Sequence, residues 1–301
     1  MKKNAFMFLT HGRPEILKQT IETLDYPEND IFIHVDKSTP INEYEKILSN
    51  LVNCSCYFTN KRIDVKWGDF SIVEAELELM KKVSETANYY QRIHLLSGVD
   101  VLIKPYKIID KYFDEHPKTE FVHFWNREEQ EKKAFVERYR FYDLYVPKKR
   151  TLTSRILYHA VRKMSIYTQK ILKINRDEKN SKEIKMGSQW FSITYEFMKE
   201  VLSQESWIRE TYEQTLCPDE SFIQTILYNN KQFFKQNFSV EFNNDYDSIK
   251  RLIKFVDGKP LSWSLTNKKE IESSTNFFAR KVSIEDFSEE FISFLNDIQK
   301  G

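Results

Sequence analysis

Residues 4–36 read NAFMFLTHGRPEILKQTIETLDYPENDIFIHVD, and this stretch decides the fold class. Asn4 to Thr10 is an apolar run long enough for one buried strand, and His11-Gly12-Arg13-Pro14 closes it. Ile16, Leu17, Ile21 and Leu24 then recur at helical spacing, and Asp30 to Asp36 is a second apolar strand. Strand, helix and strand within about thirty residues is the repeating unit of a parallel sheet covered by helices. A leader peptide needs a longer apolar stretch and a small-residue cleavage site; here His11 and Arg13 interrupt the run, so the N-terminus reads as the first strand.

The alternation continues outward. Tyr44 to Leu51 has helical spacing and Cys54 to Phe58 reads as a third strand. Ser71 is placed to cap a long helix through Val73, Ala75, Leu77, Leu79, Met80 and Val83. Arg92 to Leu96 and Phe121 to Phe124 supply two more short strands. The first 126 residues therefore read as an α/β nucleotide-binding half with a mostly parallel sheet. The pattern resumes over 181–301, the expected acceptor and catalytic half of the same domain, and ends in a helix around Phe287 to Ile298. Between them, 127–180 reads as a basic helical insertion. From Leu144 to Arg176 there are nine basic residues and no acid, while Ile156, Leu157, Ala160, Val161, Met164, Tyr167, Ile171 and Leu172 fall mostly on one helical face. Two readings of 148–173 stand at this point: contact with an anionic membrane surface, or a helix packed on the domain with its charges in water.

Composition narrows the function classes. In 301 residues, 46 Lys and Arg balance 45 Asp and Glu, leaving a net charge of +1 and no global field for nucleic acid. Hydrophobic residues make up 41% and aromatics 15%, enough for a large core. No apolar run approaches the roughly 18 residues of a membrane span. Three cysteines, Cys54, Cys56 and Cys217, suit neither a disulfide framework nor a four-ligand zinc site, which favours a reducing cytoplasm. Neither glycine-rich phosphate motif is present, nor are the zincin and nucleophile-elbow signatures. The five internal glycines lie in HGRP, KWGDF, LLSGVD, MGSQWF and VDGKP, each beside polar or aromatic residues, as expected for the rim of one site at the strand C-termini. Cys217-Pro218-Asp219-Glu220-Ser221-Phe222 sets two carboxylates at the start of a helix, a pattern equally expected from pairing with the helix dipole.

Taken in order, His11, the Ile33 to Lys37 strand end, Trp67-Gly68-Asp69, Leu95 to Asp100, Gly187-Ser188-Gln189-Trp190-Phe191, Pro218 to Phe222 and Phe278-Ala279-Arg280-Lys281 resemble glycosyltransferase family 14. This is the family of core-2/I-branching N-acetylglucosaminyltransferases and peptide xylosyltransferases, and the chain is closest in style to its bacterial members. The resemblance implies a GT-A-like fold and an inverting, single-displacement transfer from a UDP-sugar to a hydroxyl of a glycan or lipid-linked saccharide. It places Glu220 as the base, with Asp219 second in line. It places His11, Asp36 and Trp67 at the nucleotide, Lys281, Arg280 and Arg251 at the diphosphate, and Asp100, Trp125, Gln189, Trp190 and Asp219 around the sugars. UDP-N-acetylglucosamine is the expected donor, with UDP-xylose and UDP-glucose as alternatives; a non-catalytic glycan- or membrane-binding module is the other class. A glutamate near its ordinary pKa of ~4.3, beside a helix N-terminus, is expected to be ionised at neutral pH. No divalent metal is expected: the usual Asp-x-Asp position reads Ser97-Gly98-Val99-Asp100, and Asp245-Tyr246-Asp247 reads as a solvated turn. The expected location is the cytoplasm, with peripheral contact at the inner face of the membrane and no nucleic-acid partner.

Overall fold

The computed structural model describes residues 2–49, 51–144, 151–177 and 180–300. Its elements are β1 (Lys3–Thr10), α1 (Glu15–Thr23), β2 (Asn29–Val35), α2 (Asn42–Leu48), β3 (Ser55–Phe58), α3 (Ser71–Ser84), β4 (Tyr90–Ser97), β5 (Val101–Leu102), α4 (Tyr106–Glu115) and β6 (Phe121–Val122). There follow α5 (Arg127–Glu131), α6 (Lys133–Arg140), α7 (Leu152–Ile171), β7 (Phe191–Ile193), α8 (Tyr195–Ser203), α9 (Glu205–Tyr212), α10 (Phe222–Asn229) and α11 (Lys231–Phe234). The chain closes with β8 (Arg251–Ile253), the ribbon β9 (Phe255–Val256) and β10 (Lys259–Pro260), α12 (Lys268–Ser273), β11 (Phe278–Arg280) and α13 (Glu289–Lys300).

The main sheet runs β3-β2-β1-β4-β7-β6. Its first three pairings are parallel, with Phe6 opposite Ile31 on one side and His94 on the other; β7 is antiparallel to both β4 and β6. The period-two alternation of β1 explains the layers. Ala5 and Met7 face a core shared with α3, α8 and α10, whereas Phe6 and Phe8 face α1, α2 and α4. Strand order changes direction between β1 and β4, and the crevice at the C-terminal ends of such neighbours is where open α/β sheets take ligands. A second sheet, β5-β11-β8, lies beyond that crevice and packs on α13 through Trp263 and Ala279.

Local chemistry differs from expectation at two places. Ser71 is the first helical residue of α3, not its cap: Asp69 accepts from the Ser71 N–H at 3.0 Å, and the Ser71 hydroxyl accepts from Lys66 N–H at 2.9 Å. The helix after Cys217 begins later than the sequence pattern implies, because Pro218–Glu220 forms a single 3-10 turn before α10. Among the described residues of 127–180 lie the helices α5, α6 and α7; Lys148, Lys149 and Arg150 of the basic stretch lie outside the described residues.

Candidate active site

Two glycines show how tightly the crevice is built. A Cβ on Gly98, in the loop after β4, would sit 2.2 Å from Thr10 Oγ1 at the end of β1, and Gly98 N–H donates to Leu9 O at 2.9 Å. One on Gly187 would lie 1.8 Å from His123 O. Glycine is therefore required at both, at Gly187 by a backbone carbonyl and at Gly98 by the Thr10 side chain. His11 directly follows β1 and is exposed to solvent.

Asp36 ends β2 with its carboxylate accepting from Ser38 N–H at 2.8 Å, Ser38 Oγ at 2.5 Å and Val65 N–H at 2.8 Å. Burial pushes this carboxyl up, but the hydrogen bonds outweigh it and hold it below the ordinary range, so it is ionised. The loop between β3 and α3 that supplies Val65 also carries Trp67, which is 58% exposed.

Across the crevice, Asp100 accepts from Ser97 N–H and Ser97 Oγ, both at 2.8 Å, and from Arg280 at 2.9 Å. Arg280 also donates to Ser97 Oγ, and its guanidinium lies 3.9 Å from the centre of the Trp190 ring. Half-buried Arg280, at the end of β11, is thus held between buried Asp100 in the loop after β4 and buried Trp190 just before β7. Arg251 lies behind it. Its Nη atoms donate to Ile249 O, Leu95 O, Phe191 O and Ser192 Oγ, while its buried Nε has no partner. Burial lowers its pKa to about 9, which leaves it charged at neutral pH. Lys281 is half-buried; its carbonyl accepts from Trp263 N–H at 2.8 Å, and its ammonium helps to lower the carboxyl of exposed Glu285. Arg280 is the member of the Arg-Lys pair that enters the cluster.

The turn bearing Asp219 and Glu220 is bolted from three sides. Gly187 N–H donates to Glu220 O at 2.9 Å, Cys217 N–H donates to Gly68 O at 2.9 Å, and Ser221 Oγ donates to Lys185 O at 2.9 Å. Cys217 adopts a left-handed conformation, φ 52°, at a cost of roughly 1–2 kcal/mol for a residue with a Cβ. Glu220 Oε2 receives Arg138 Nη1 at 2.6 Å, and the side chain keeps 31% of its surface in solvent. Its surroundings push the carboxyl above the ordinary glutamate range: desolvation is the larger effect and the Arg138 charge only partly offsets it. The expectation of an ordinary glutamate pKa therefore gives way to a raised one. Asp219 is raised as well, first by burial and then by the Glu220 charge beside it, with Arg138 and Arg280 opposing. One of its oxygens is buried without a partner.

Two residues of this site carry no sequence signal that separates them from structural neighbours. Arg138 sits in the exposed-looking repeat KAFVERYR of α6, yet pairs with Glu220. Glu76, on α3, is fully buried; Gln189 Nε2 donates to its Oε1 at 2.7 Å, and its Oε2 has no partner. Burial first, and then the Asp219 charge, drives its pKa well above the ordinary glutamate range, which favours the neutral acid. The Trp125 ring packs on Phe135 at 4.8 Å, and Phe135 in turn carries the Arg138 guanidinium at 4.4 Å. Among the described residues, no three His, Cys, Asp or Glu side chains are grouped to hold a metal ion. A separate cavity of about 790 Å³ lies at the far end of α10, lined by Glu200, Gln204, Trp207, Asn229 and Asn230 among others.

The model of the core-2/I-branching enzyme family matches residues 4–289. A pig protein named probable beta-1,3-galactosyl-O-glycosyl-glycoprotein beta-1,6-N-acetylglucosaminyltransferase 7 is 28% identical over 110 residues, 36% of this chain and 25% of that protein. Xylosyltransferase sqv-6 of Caenorhabditis briggsae is 23% identical over 240 residues, 76% of this chain and 27% of its own length. The chain thus spans about a quarter of the length of these curated relatives. The apo crystal structure of mouse xyloside xylosyltransferase 1 superposes with a TM-score of 0.36 at 10% identity, covering 77% of this chain and 83% of that one. With a family match that runs from the first strand into the last helix, the chain belongs to the core-2/I-branching enzymes.

Proposed function

We propose that this protein is an inverting glycosyltransferase of GT-A-like fold that moves a sugar from a UDP-sugar to a hydroxyl of a glycan or lipid-linked saccharide. The observation that carries the reading is Glu220, a carboxylate with one oxygen held by Arg138 and its side chain open to solvent at the crevice. No described hydrogen bond engages its second oxygen, which is left to an acceptor hydroxyl. In a single displacement that oxygen takes the hydroxyl proton as the hydroxyl attacks the anomeric carbon, and UDP leaves from the opposite face with the bonding electrons. His11, Asp36 and Trp67 line the nucleotide end, and Gln189, Trp190, Trp125 and Asp219 the sugar end. Arg280 and Lys281 meet the charge that develops on the diphosphate; Arg251, expected beside them, is instead fully buried with its guanidinium on Ile249 O, Leu95 O, Phe191 O and Ser192 Oγ, and it supports the cluster from behind. Metal independence belongs to the same reading, since the Asp100 carboxylate is already spent on Ser97 and Arg280. N-acetylglucosamine is the donor sugar we favour, and the cytoplasm at the inner membrane face is the location.

The experiment is UDP release from a panel of UDP-N-acetylglucosamine, UDP-xylose and UDP-glucose with mixed acceptors. Turnover with one donor is expected, and Glu220→Gln should lower it by about two to four orders of magnitude while UDP still binds. Loss in Asp219→Asn with full activity in Glu220→Gln would move the base to Asp219. UDP bound without release of product from any donor would leave a binding module.

A further inference from the structure

Helix α7 is fastened to the protein by one face only. Ile166 and Gln169 are buried, with the Gln169 amide exchanging hydrogen bonds with Tyr142 N–H at 2.8 Å and Tyr142 O at 2.9 Å. Tyr158 and Arg162 both bond Asp143 at 2.9 Å. On the opposite face Ile156, Leu157, Met164, Tyr167 and Ile171 are each 55–67% exposed. At 100° per residue they fall within one arc, a stripe about 22 Å long. An apolar patch of this kind, fixed outward by polar bonds on its inner side, marks an interaction surface. Lys163 flanks the stripe and Lys173 follows it, both exposed, within a segment from Leu144 to Arg176 that contains no acid.

We propose that this face of α7 lies on an anionic lipid surface, with the stripe entering the headgroup boundary and the lysines meeting lipid phosphates. Charge selects this partner over a second copy of the chain. Arg162 and Lys170 are neutralised by Asp143 and Glu137, but a two-fold pairing sets the same patch against itself, so exposed Lys163 and Lys173 would face their own like charge. No helix of the described residues is long and apolar enough to cross a membrane, so the contact is peripheral. The proposal deepens the transferase reading by setting the crevice beside lipid-borne acceptors, and it rests on that reading for this purpose alone.

The test is co-sedimentation of the full chain with phosphatidylcholine vesicles with and without phosphatidylglycerol, at low and high salt; it requires no turnover, so its outcome is independent of the transferase assay. Pelleting is expected with the anionic vesicles at low salt and should fall as salt rises. Lys163→Glu and Lys173→Glu should each weaken it about fivefold or more, and Met164→Glu with Tyr167→Glu on the order of tenfold or more. Unchanged helical circular dichroism would show that the variants fold. No pelleting at low salt, or pelleting that ignores all four substitutions, overturns the proposal. So does a concentration-dependent dimer dispersed by Met164→Glu in a protein that ignores vesicles, which would assign the face to a second copy.

Discussion

Glu220 is held between two opposing influences, a packed environment that favours the neutral acid and an arginine that favours the carboxylate. Removing the arginine should therefore raise the pKa further. In Arg138→Met the acid limb of the kcat/KM profile is expected to move to higher pH than in the wild type, while the limb in both lies above the ordinary ~4.3 of glutamate. A limb that stays in place would show that Arg138 does not act through Glu220. At the diphosphate end, the stack on Trp190 and the bond to Asp100 give Arg280 a fixed position, so Arg280→Ala should cost about 2–4 kcal/mol of transition-state stabilisation, read from kcat/KM. Lys281→Ala gives the comparison: an equal loss means both cations reach the phosphates, and a much smaller one assigns the role to Arg280. Neither partnership was legible in the sequence. Arg138 lies some eighty positions from Glu220, and the charge pattern of α6 is that of any solvated helix.

Among the elements, those that bury an uninterrupted apolar run were readable: β1, β2 and β4 fall within a residue or two of the runs that announced them, because a strand covered on both faces writes itself as continuous hydrophobic sequence. The three-residue strands β7, β8 and β11 were not readable, since so short a segment has no periodicity and is held by long-range pairing alone. The same reasoning explains why the glycines of MGSQWF and LLSGVD were noticed but not understood. Their requirement comes from a carbonyl or a hydroxyl brought in by another part of the chain. Gly187→Ala should consequently destabilise the protein by about 3 kcal/mol, measured by denaturant midpoint, because the obstruction is the His123 backbone carbonyl and not a movable side chain. It should also disturb Glu220, whose carbonyl accepts the Gly187 N–H. A variant as stable as wild type would mean that the two loops separate at little cost.

Over the whole molecule, acids with raised pKa values dominate the alkaline side of stability. Glu76 is raised by burial and by Asp219, and Glu120 is raised to about 7, first by burial, with bonds from Thr194 and the Arg92 charge opposing. The folded state holds these protons more tightly than the unfolded chain, so their contribution is full below the ordinary carboxylate range and is lost as pH rises through the folded values. Buried His34, His94 and His123, with lowered pKa values set first by burial, act in the opposite sense below the ordinary histidine range, so urea unfolding from about pH 7 to 9 should show that decline, and Glu76→Gln should flatten part of it; a variant with the wild-type slope would remove Glu76 from the account. Asp36, with its lowered pKa, acts in the opposite sense, its contribution fading only as pH falls below the ordinary aspartate range. At the same scale, activity is expected to survive excess EDTA; loss restored by Mn²⁺ would assign a metal to Asp100 or to the Asp245 and Asp247 pair. The collinear motifs, spread from His11 to Lys281, made the family legible while leaving unread what ties its halves together. That tie includes one main-chain bond, from Cys217 N–H in the Glu220 turn to Gly68 O beside Trp67. Hydrogen exchange at this single amide would consequently serve as a gauge: a nucleotide that steadies the Trp67 loop should slow deuterium uptake three residues from Glu220, before any acceptor has arrived.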